Sequence, residues 1–269
     1  MKYLHTALAF AALSALGFSA TGCSVAAAGR RTPETAKRPD QVLDAAVLYK
    51  ANCAGCHGGD GKYGAAIALA NPVYLADTGA ENLRVVTEKG VPGTLMPPFS
   101  QRFGGSLTDE QIEALVNGML HDWSRPEQLR GVVIPAYTAS APGDPVRGRA
   151  VFAAYCARCH GEGGTGSAGR PIAGSGDVPV RGSIVDSSFL ALISDQGLRS
   201  LIIAGQPDYG MPDWRGEAVN PTTHPMTEVE IGDVVAWLAS HRVSAPGRVY
   251  AEPQPTPSEP SQQPSGVKP

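Results

Sequence analysis

A five-residue pattern that occurs twice, C-x-x-C-H, constrains this chain more than any other feature. The copies are Cys53–His57 and Cys156–His160. An apolar residue and an aromatic one precede both copies at the same distance, and a Gly six residues before a Met-Pro pair follows each. These flanking residues are Leu48-Tyr49 with Gly90 and Met96 in the first copy, and Val151-Phe152 with Gly205 and Met211 in the second. A motif repeated in matched surroundings predicts two similar structural units.

The order of residue types within the motif has a mechanical reason. Two thiols one helical turn apart can reach the two vinyl groups on one edge of a haem and form thioethers, and the next residue then places an imidazole under the iron. The sequence therefore predicts two covalently bound haem c groups, with His57 and His160 as axial ligands. The predicted thioether residues are Cys53, Cys56, Cys156 and Cys159.

Two other uses of paired cysteines are weighed against haem attachment. In a structural zinc site the two C-x-x-C pairs usually stand about 15–20 residues apart, whereas a whole domain separates them here. A thioredoxin-like redox pair requires a βαβ setting, which the sequence does not predict. Both uses are therefore disfavoured.

Methionines are the predicted sixth ligands of the two irons. Met96 and Met211 each precede a Pro and follow a helix-ending Gly at matched positions, and a thioether is a soft ligand that favours reduced iron. Met119 is predicted to fill the core of a helix face and Met226 to pack at a helix entry. His224 is the one alternative ligand considered for the second iron.

Helical periodicity predicts an all-α fold in two tandem units. Capping boxes at Thr108 and Thr227 open the last helix of each unit, and apolar residues follow them at helical spacing. The predicted boundaries are a first domain at 44–122, a linker at 123–144, a second domain at 145–243 and a disordered tail rich in Pro, Ser and Gln at 244–269.

The N-terminus is typical of an exported protein. Residues 1–22 combine Lys2 with a short apolar run, as in a signal peptide. Cys23 follows Ala20-Thr21-Gly22, a sequence that resembles a bacterial lipobox and predicts lipidation of Cys23, with 23–43 as anchor and spacer. Ordinary cleavage after Ala28 and an uncleaved N-terminal anchor are the alternatives. Lipidation would account for the one cysteine of five that lies outside the motifs.

Taken together, the motifs resemble the class I cytochrome c family over almost all of both units. In that family the first and last helices cross, with a Gly on the first facing an aromatic residue on the last. Gly148, Phe152 and Trp237 match this arrangement in the second unit. The first unit keeps Tyr49 but has Ala45 and Gly118 at the other two positions, so a different helix crossing is expected there.

The resemblance also implies a carbonyl that holds the other ring nitrogen of the His ligand. Pro171 is the expected acceptor in the second unit, and no acceptor is assigned in the first, which has Ala65-Ala66-Ile67 there. A haem in each unit would also supply the buried apolar surface that an aromatic content of only 6 % leaves short.

These inferences predict a membrane-anchored periplasmic electron carrier. Its expected partners are redox proteins, namely other cytochromes or a quinol-oxidising or terminal oxidase complex, with a lipid anchor in the membrane. A formal net charge of −3 disfavours nucleic acid. The alternative is an enzyme, either a two-haem peroxidase or another haem enzyme. Ligands on both faces of each iron disfavour catalysis, and sulfur-oxidising haem enzymes need a downstream Cys, which is missing after Cys159.

Overall fold

A computed structural model describes residues 37–167, 181–216 and 224–244. These ranges are helical and contain no β-strand, which confirms the all-α prediction. The predicted signal peptide, Cys23, Pro171 and almost all of the predicted tail lie outside them. The helices are α1 (Ala45–Asn52), α2 (Ala54–His57), α3 (Pro72–Lys89), α4 (Asp109–Trp123), α5 (Pro145–Tyr155), α6 (Ala157–His160), α7 (Ser187–Leu192), α8 (Asp195–Ala204) and α9 (Glu228–Ala239). Short 3₁₀ turns lie at 39–41, 101–103, 126–129, 162–164 and 207–209.

The internal repeat is visible in how the helices correspond. Helix α3 of the first repeat matches α7 and α8 of the second, because α3 bends at Gly79, where φ is 67°. The equivalent position in the second repeat is Ser194, which caps the start of α8. The same spacing pairs Asn71, the N-cap of α3, with Asp186, the N-cap of α7. One repeat thus uses a kinked helix where the other uses two short ones.

The terminal helices of the second repeat cross as the family resemblance implies. A side chain at Gly148 on α5 would collide with the backbone of Asp233 and with Trp237 on α9, so only Gly allows this approach. The rings of Phe152 and Trp237 lie 4.3 Å apart. The nearly buried carboxylate of Asp233 accepts from the Arg147 guanidinium at 2.7 Å and thereby ties the same two helices together.

In the first repeat the first and last helices also cross closely, but the glycine lies on the last helix and not on the first. A Cβ at Gly118 on α4 would collide with Ala45 on α1, so the glycine sits on the last helix and the alanine on the first. Tyr49 packs edge-on against Trp123 with ring centroids 5.0 Å apart, and its hydroxyl donates to the Gly58 carbonyl at 2.8 Å. Trp123, which the sequence assigns to the linker, is the last residue of α4.

The last helix of each repeat begins as predicted. Thr108 accepts from the Gln111 amide while the Gln111 side chain accepts from Thr108, and Thr227 and Glu230 repeat this arrangement. Both capping boxes are therefore confirmed, and each satisfies two amides that a helix start leaves without partners.

The two repeats pack against each other through α3 and α8. The segment that joins them lies along this contact: the Gln196 side chain on α8 donates to the Tyr137 carbonyl at 2.8 Å, and the Arg199 guanidinium donates to the same carbonyl at 3.0 Å. The joining segment is therefore fixed to the second repeat by polar contacts.

Candidate haem sites

The second C-x-x-C-H copy lies at one wall of a cleft. Helix α5 ends at Tyr155, and the amides of Cys159 and His160 both donate to the Cys156 carbonyl, at 3.1 and 3.0 Å, which forms the short turn of α6. The cleft places both thiols and the imidazole of this copy around one space together with Met211. Its further apolar lining includes Ile202, Pro212, Trp214 and Met226. Two thiols, an imidazole, a thioether and apolar walls fit a haem c.

Met211 reaches this cleft because α8 stops at a glycine. Gly205 has a φ of 65°, and a Cβ there would collide with the Pro212 backbone, so the chain can turn back closely only at a glycine. Gln206 and Met211 then exchange backbone hydrogen bonds of 2.9 and 3.0 Å, which fix the loop just before the Met side chain.

The loop of Met96 is built in the same way. Gly90 ends α3 with a φ of 66°, and a Cβ there would meet the backbone of Met96 and Pro97. The Val91 amide donates to the Met96 carbonyl at 3.0 Å. The side chain of Met96 is partly buried. Both predicted methionines thus stand on equivalent, glycine-initiated loops.

His57 of the first copy has a hydrogen-bond partner that the sequence did not assign. Its ring is buried, and Nδ1 lies 2.8 Å from the Ile67 carbonyl. A carbonyl can only accept, so Nδ1 carries the proton and Nε2 is left for a metal. Any residue can supply a carbonyl, which is why Ile67 serves although the family pattern expects Pro.

His160 differs from His57 in its surroundings. Its buried Nδ1 has no hydrogen-bond partner among the described residues, and Pro171, the expected acceptor, lies outside them. Arg181 lines the same cleft, and its guanidinium donates to the Tyr209 carbonyl at 2.7 Å. A cation is thus fixed between His160 and the Met211 loop.

The electrostatics of both motifs favour neutral groups. Burial lowers the pKa of both His57 and His160, and the charge of Arg181 lowers that of His160 further. Both imidazoles are therefore neutral at pH 7, as metal ligation requires. Burial, followed by the neighbouring Cys, raises the pKa of Cys53 to about 11 and that of Cys156 to about 12. A reactive redox thiol needs the opposite shift.

The other residues that could supply a sulfur or nitrogen ligand lie outside the cleft or in the core. His224 is an exposed residue beside the Tyr155 ring, 3.6 Å from Glu230, and it does not line the described part of the cleft. Met119 is buried on the inner face of α4. Met226 borders the cleft, but its side chain is buried among the core residues. Its amide donates to the Trp214 carbonyl at 2.8 Å, as the amide of the core residue Leu107 does to the Phe99 carbonyl in the first repeat.

An all-α fold in which a C-x-x-C-H turn joins two helices and a methionine loop faces it defines a c-type cytochrome. The chain belongs to the family described as cytochrome c oxidase, cbb3-type, subunit III, whose profile matches residues 40–117 and 143–238. The two matched ranges contain both copies of the motif, which supports the resemblance to a tandem cytochrome c.

Two relatives in this family carry names that describe an oxidase subunit. The cbb3-type cytochrome c oxidase subunit CcoP of Azospirillum sp. (strain B510) is 28 % identical over 144 residues, which are 49 % of this chain and 44 % of that protein. The subunit FixP of Sinorhizobium medicae (strain WSM419) is 30 % identical over 129 residues, 45 % of this chain and 39 % of that one. The chain spans less than half the length of either relative.

Among solved structures, the KustC0563 c-type cytochrome is similar to one part of the chain. It is 28 % identical, with a TM-score of 0.27, and the match covers 30 % of this chain and 99 % of that one.

Proposed function

We propose that this protein is a two-haem c-type cytochrome that transfers electrons between redox partners on the outer face of a bacterial membrane. The observation that carries the proposal is the cleft of the second repeat, where Cys156, Cys159, His160 and Met211 surround one space. The first repeat has the same motif and the equivalent methionine loop, which supports a second haem held by Cys53, Cys56, His57 and Met96.

The side chains around each site perform distinct tasks in this proposal. The cysteine pair would attach the cofactor covalently, and the Ile67 carbonyl holds Nδ1 of His57, which leaves Nε2 for the iron. The methionine of each loop would supply the second ligand. A haem bound in this way supplies one-electron redox chemistry. If a histidine and a methionine bind each iron as proposed, neither site would offer a free position to a substrate, which favours a carrier over a peroxidase.

The proposed partners follow from the family. Its description and the names of both relatives refer to a subunit of a cbb3-type oxidase, so a terminal oxidase is the partner that the comparisons support best. Another cytochrome or a quinol-oxidising complex would use the same chemistry. Redox encounters of this kind are typically small and transient.

The proposed location is the periplasmic side of a membrane, with a lipid on Cys23 as the anchor. Within the ranges that the structure describes, none of the helices has the length and apolar character needed to span a bilayer. We expect the native protein to partition into detergent with membranes and Cys23→Ser to release it or block its processing. Mass spectrometry of the mature N-terminus checks this, and an unmodified terminus at Gly29 would support ordinary cleavage instead.

Axial ligation provides the test of the proposed function. A thioether bound to ferric haem gives a weak charge-transfer band in the far red, so the wild type should show this band from both sites. Met96→His and Met211→His should each remove about half of it. Each should also lower the potential of its own haem, because thioether ligation raises the potential relative to imidazole. Visible spectra and a redox titration measure both effects.

Met119→Leu is the matched control, since Met119 is a buried methionine in the helical core and this swap conserves volume. Its far-red band and both potentials should equal those of the wild type. A wild type with a high-spin, five-coordinate haem that binds peroxide or cyanide quickly would overturn the carrier proposal and favour an enzyme.

A further inference from the structure

The loop that carries Met211 is held by side chains of the first repeat. Asn71 is the N-cap of α3: its side-chain oxygen accepts from the amides of Val73 at 2.9 Å and Tyr74 at 3.3 Å. The amide nitrogen of the same side chain donates across the interface to the carbonyls of Ala204 at 3.0 Å and Gly205 at 3.3 Å. Asn71 is only 4 % exposed, so these bonds are shielded from water.

Two neighbouring residues of the first repeat contact the same loop further along. Lys62 forms an ion pair with Asp208 at 3.3 Å. The rings of Tyr63 and Tyr209 meet edge to face, with centroids 5.6 Å apart. The loop that follows the first C-x-x-C-H copy therefore contacts the second repeat within three residues of Met211. We call Lys62, Tyr63 and Asn71 the clamp and residues 205–212 the ligand loop.

Tyr63, one of the three clamp residues, adopts an unfavourable backbone conformation. Its φ is 60°, the one positive value among the described residues other than glycine. A bulky residue in the left-handed region is disfavoured by steric contacts of its Cβ. The ring of Tyr63 is largely exposed apart from its contact with Tyr209. The unfavourable backbone conformation therefore places the ring against Tyr209.

Comparison of the two repeats shows that helix capping alone does not produce the hydrogen bonds from Asn71 to Ala204 and Gly205. Asp186, the equivalent of Asn71, caps α7 through amides of Ser188 at 2.9 Å and Phe189 at 3.1 Å. An ionised carboxylate accepts but cannot donate. The capping role is common to both repeats, whereas the donation to Ala204 and Gly205 requires the amide of Asn71.

We propose that the clamp positions the Met211 ligand loop, so that the first repeat controls the sixth ligand of the second haem. This rests on the proposed function, in which Met211 is that ligand. Movement of the loop away from the cleft would withdraw the Met211 thioether from the proposed iron. Because Asn71 and its neighbours attach the start and middle of the loop to another domain, such movement also breaks contacts between the repeats. Through these contacts, the loop that follows the first C-x-x-C-H copy lies beside the loop that carries Met211.

The test uses the full chain with both haems in a Met96→His background, where the far-red sulfur band reports the second site alone. Asn71→Asp keeps the helix cap, since Asp and Asn cap equally well, but removes the donor to the ligand loop. We expect imidazole to displace the methionine of the ferric protein about tenfold faster, the effect of losing one or two buried hydrogen bonds. The amides of Gln206 and Met211 should also exchange with deuterium faster.

Asp186→Asn is the matched control, because it makes the reciprocal change at the equivalent cap and should alter neither rate. Tyr63→Gly removes the ring from the clamp while relieving the positive φ, and should accelerate displacement in the same direction by a smaller factor. Asn71→Ser, which also keeps a cap, replaces Asn71→Asp if that variant does not fold.

Unchanged displacement and exchange rates in the Asn71 variant would overturn the inference while leaving the ligand assignment intact. A failure of the proposed function looks different: the sulfur band of the Met96→His protein would be missing from the start, or Met211→His would leave the wild-type band unaltered.

Discussion

A chain with Cys53 and Cys56 both replaced by alanine is expected to carry one covalent haem, whereas the wild type is expected to carry two. The thioethers of the first site need these two thiols, and neither of them is in a disulfide. The second site keeps its own pair and should retain its haem. A pyridine haemochrome assay, after extraction of non-covalent haem with acidic acetone, gives the ratio of haem to protein.

The same change is expected to unfold much of the first repeat. A small domain buries a limited fraction of its surface and is marginal without an additional stabilising element, and the haem is the large apolar body that α1, α3 and α4 would enclose. Circular dichroism should therefore show a loss of helix along with the loss of haem. The reciprocal variant, with alanine at Cys156 and Cys159, controls for general effects on export and should lose the other haem. One covalent haem or none in the wild type would contradict the assignment.

The parts of the fold that follow from local chemistry were predictable from the sequence. The capping boxes at Thr108 and Thr227 depend on residues three positions apart, and both are present in the structure. Both C-x-x-C-H copies likewise form a short helical turn, and the hydrogen bonds that close it lie within the motif. The contact of Gly148 with α9 was predictable because the resembling family has a glycine at that position.

Features that depend on backbone groups or on the second repeat were not predictable. The acceptor for His57 is the carbonyl of Ile67, and a carbonyl leaves no mark on residue type. The sequence indicated that the first and last helices of the first repeat cross differently, but it could not show that Ala45 packs directly against Gly118. Asn71 shows the limit most directly: its role as a helix cap accounts for the residue locally, and nothing in the sequence signals a second bond to Ala204.

A buried carboxyl group between the repeats is a further feature that only the structure reveals. Asp77 on α3 is 9 % exposed, its nearest polar partner is the Ser200 hydroxyl at 3.5 Å, and one of its oxygens has no partner among the described residues. Burial raises the pKa of Asp77 to about 7, against the opposing charge of Arg199 and the hydrogen bond from Ser200, while Glu228 adds to the rise. Arg199 is the strongest opposing influence, but its guanidinium also pairs with Glu228 at 2.6 Å, and burial outweighs it.

This pKa gives the stability of the interface a defined pH dependence. The unfolded chain releases the Asp77 proton near pH 4 and the folded chain near pH 7, so the folded state binds more protons between these values. Stability contributed by this group is therefore complete below about pH 4, falls as the pH rises to about 7, and then stays constant. Above pH 7 the folded protein must hold an ionised carboxylate in a largely buried place, which is unfavourable.

Asp77→Asn should remove that penalty because it replaces the carboxylate with a neutral group of the same shape. At pH 8 the variant is expected to be more stable than the wild type by on the order of 2–4 kcal/mol, with the difference shrinking through pH 6 and vanishing near pH 4. Urea unfolding of the haem-loaded protein at the three pH values measures this. Glu113→Gln, at an exposed carboxylate on α4, is the control and should change the stability only slightly at each pH. A variant less stable than the wild type at pH 8 would mean that ionised Asp77 supports the contact between the repeats, because its attraction to Arg199 would then outweigh the free energy of its desolvation.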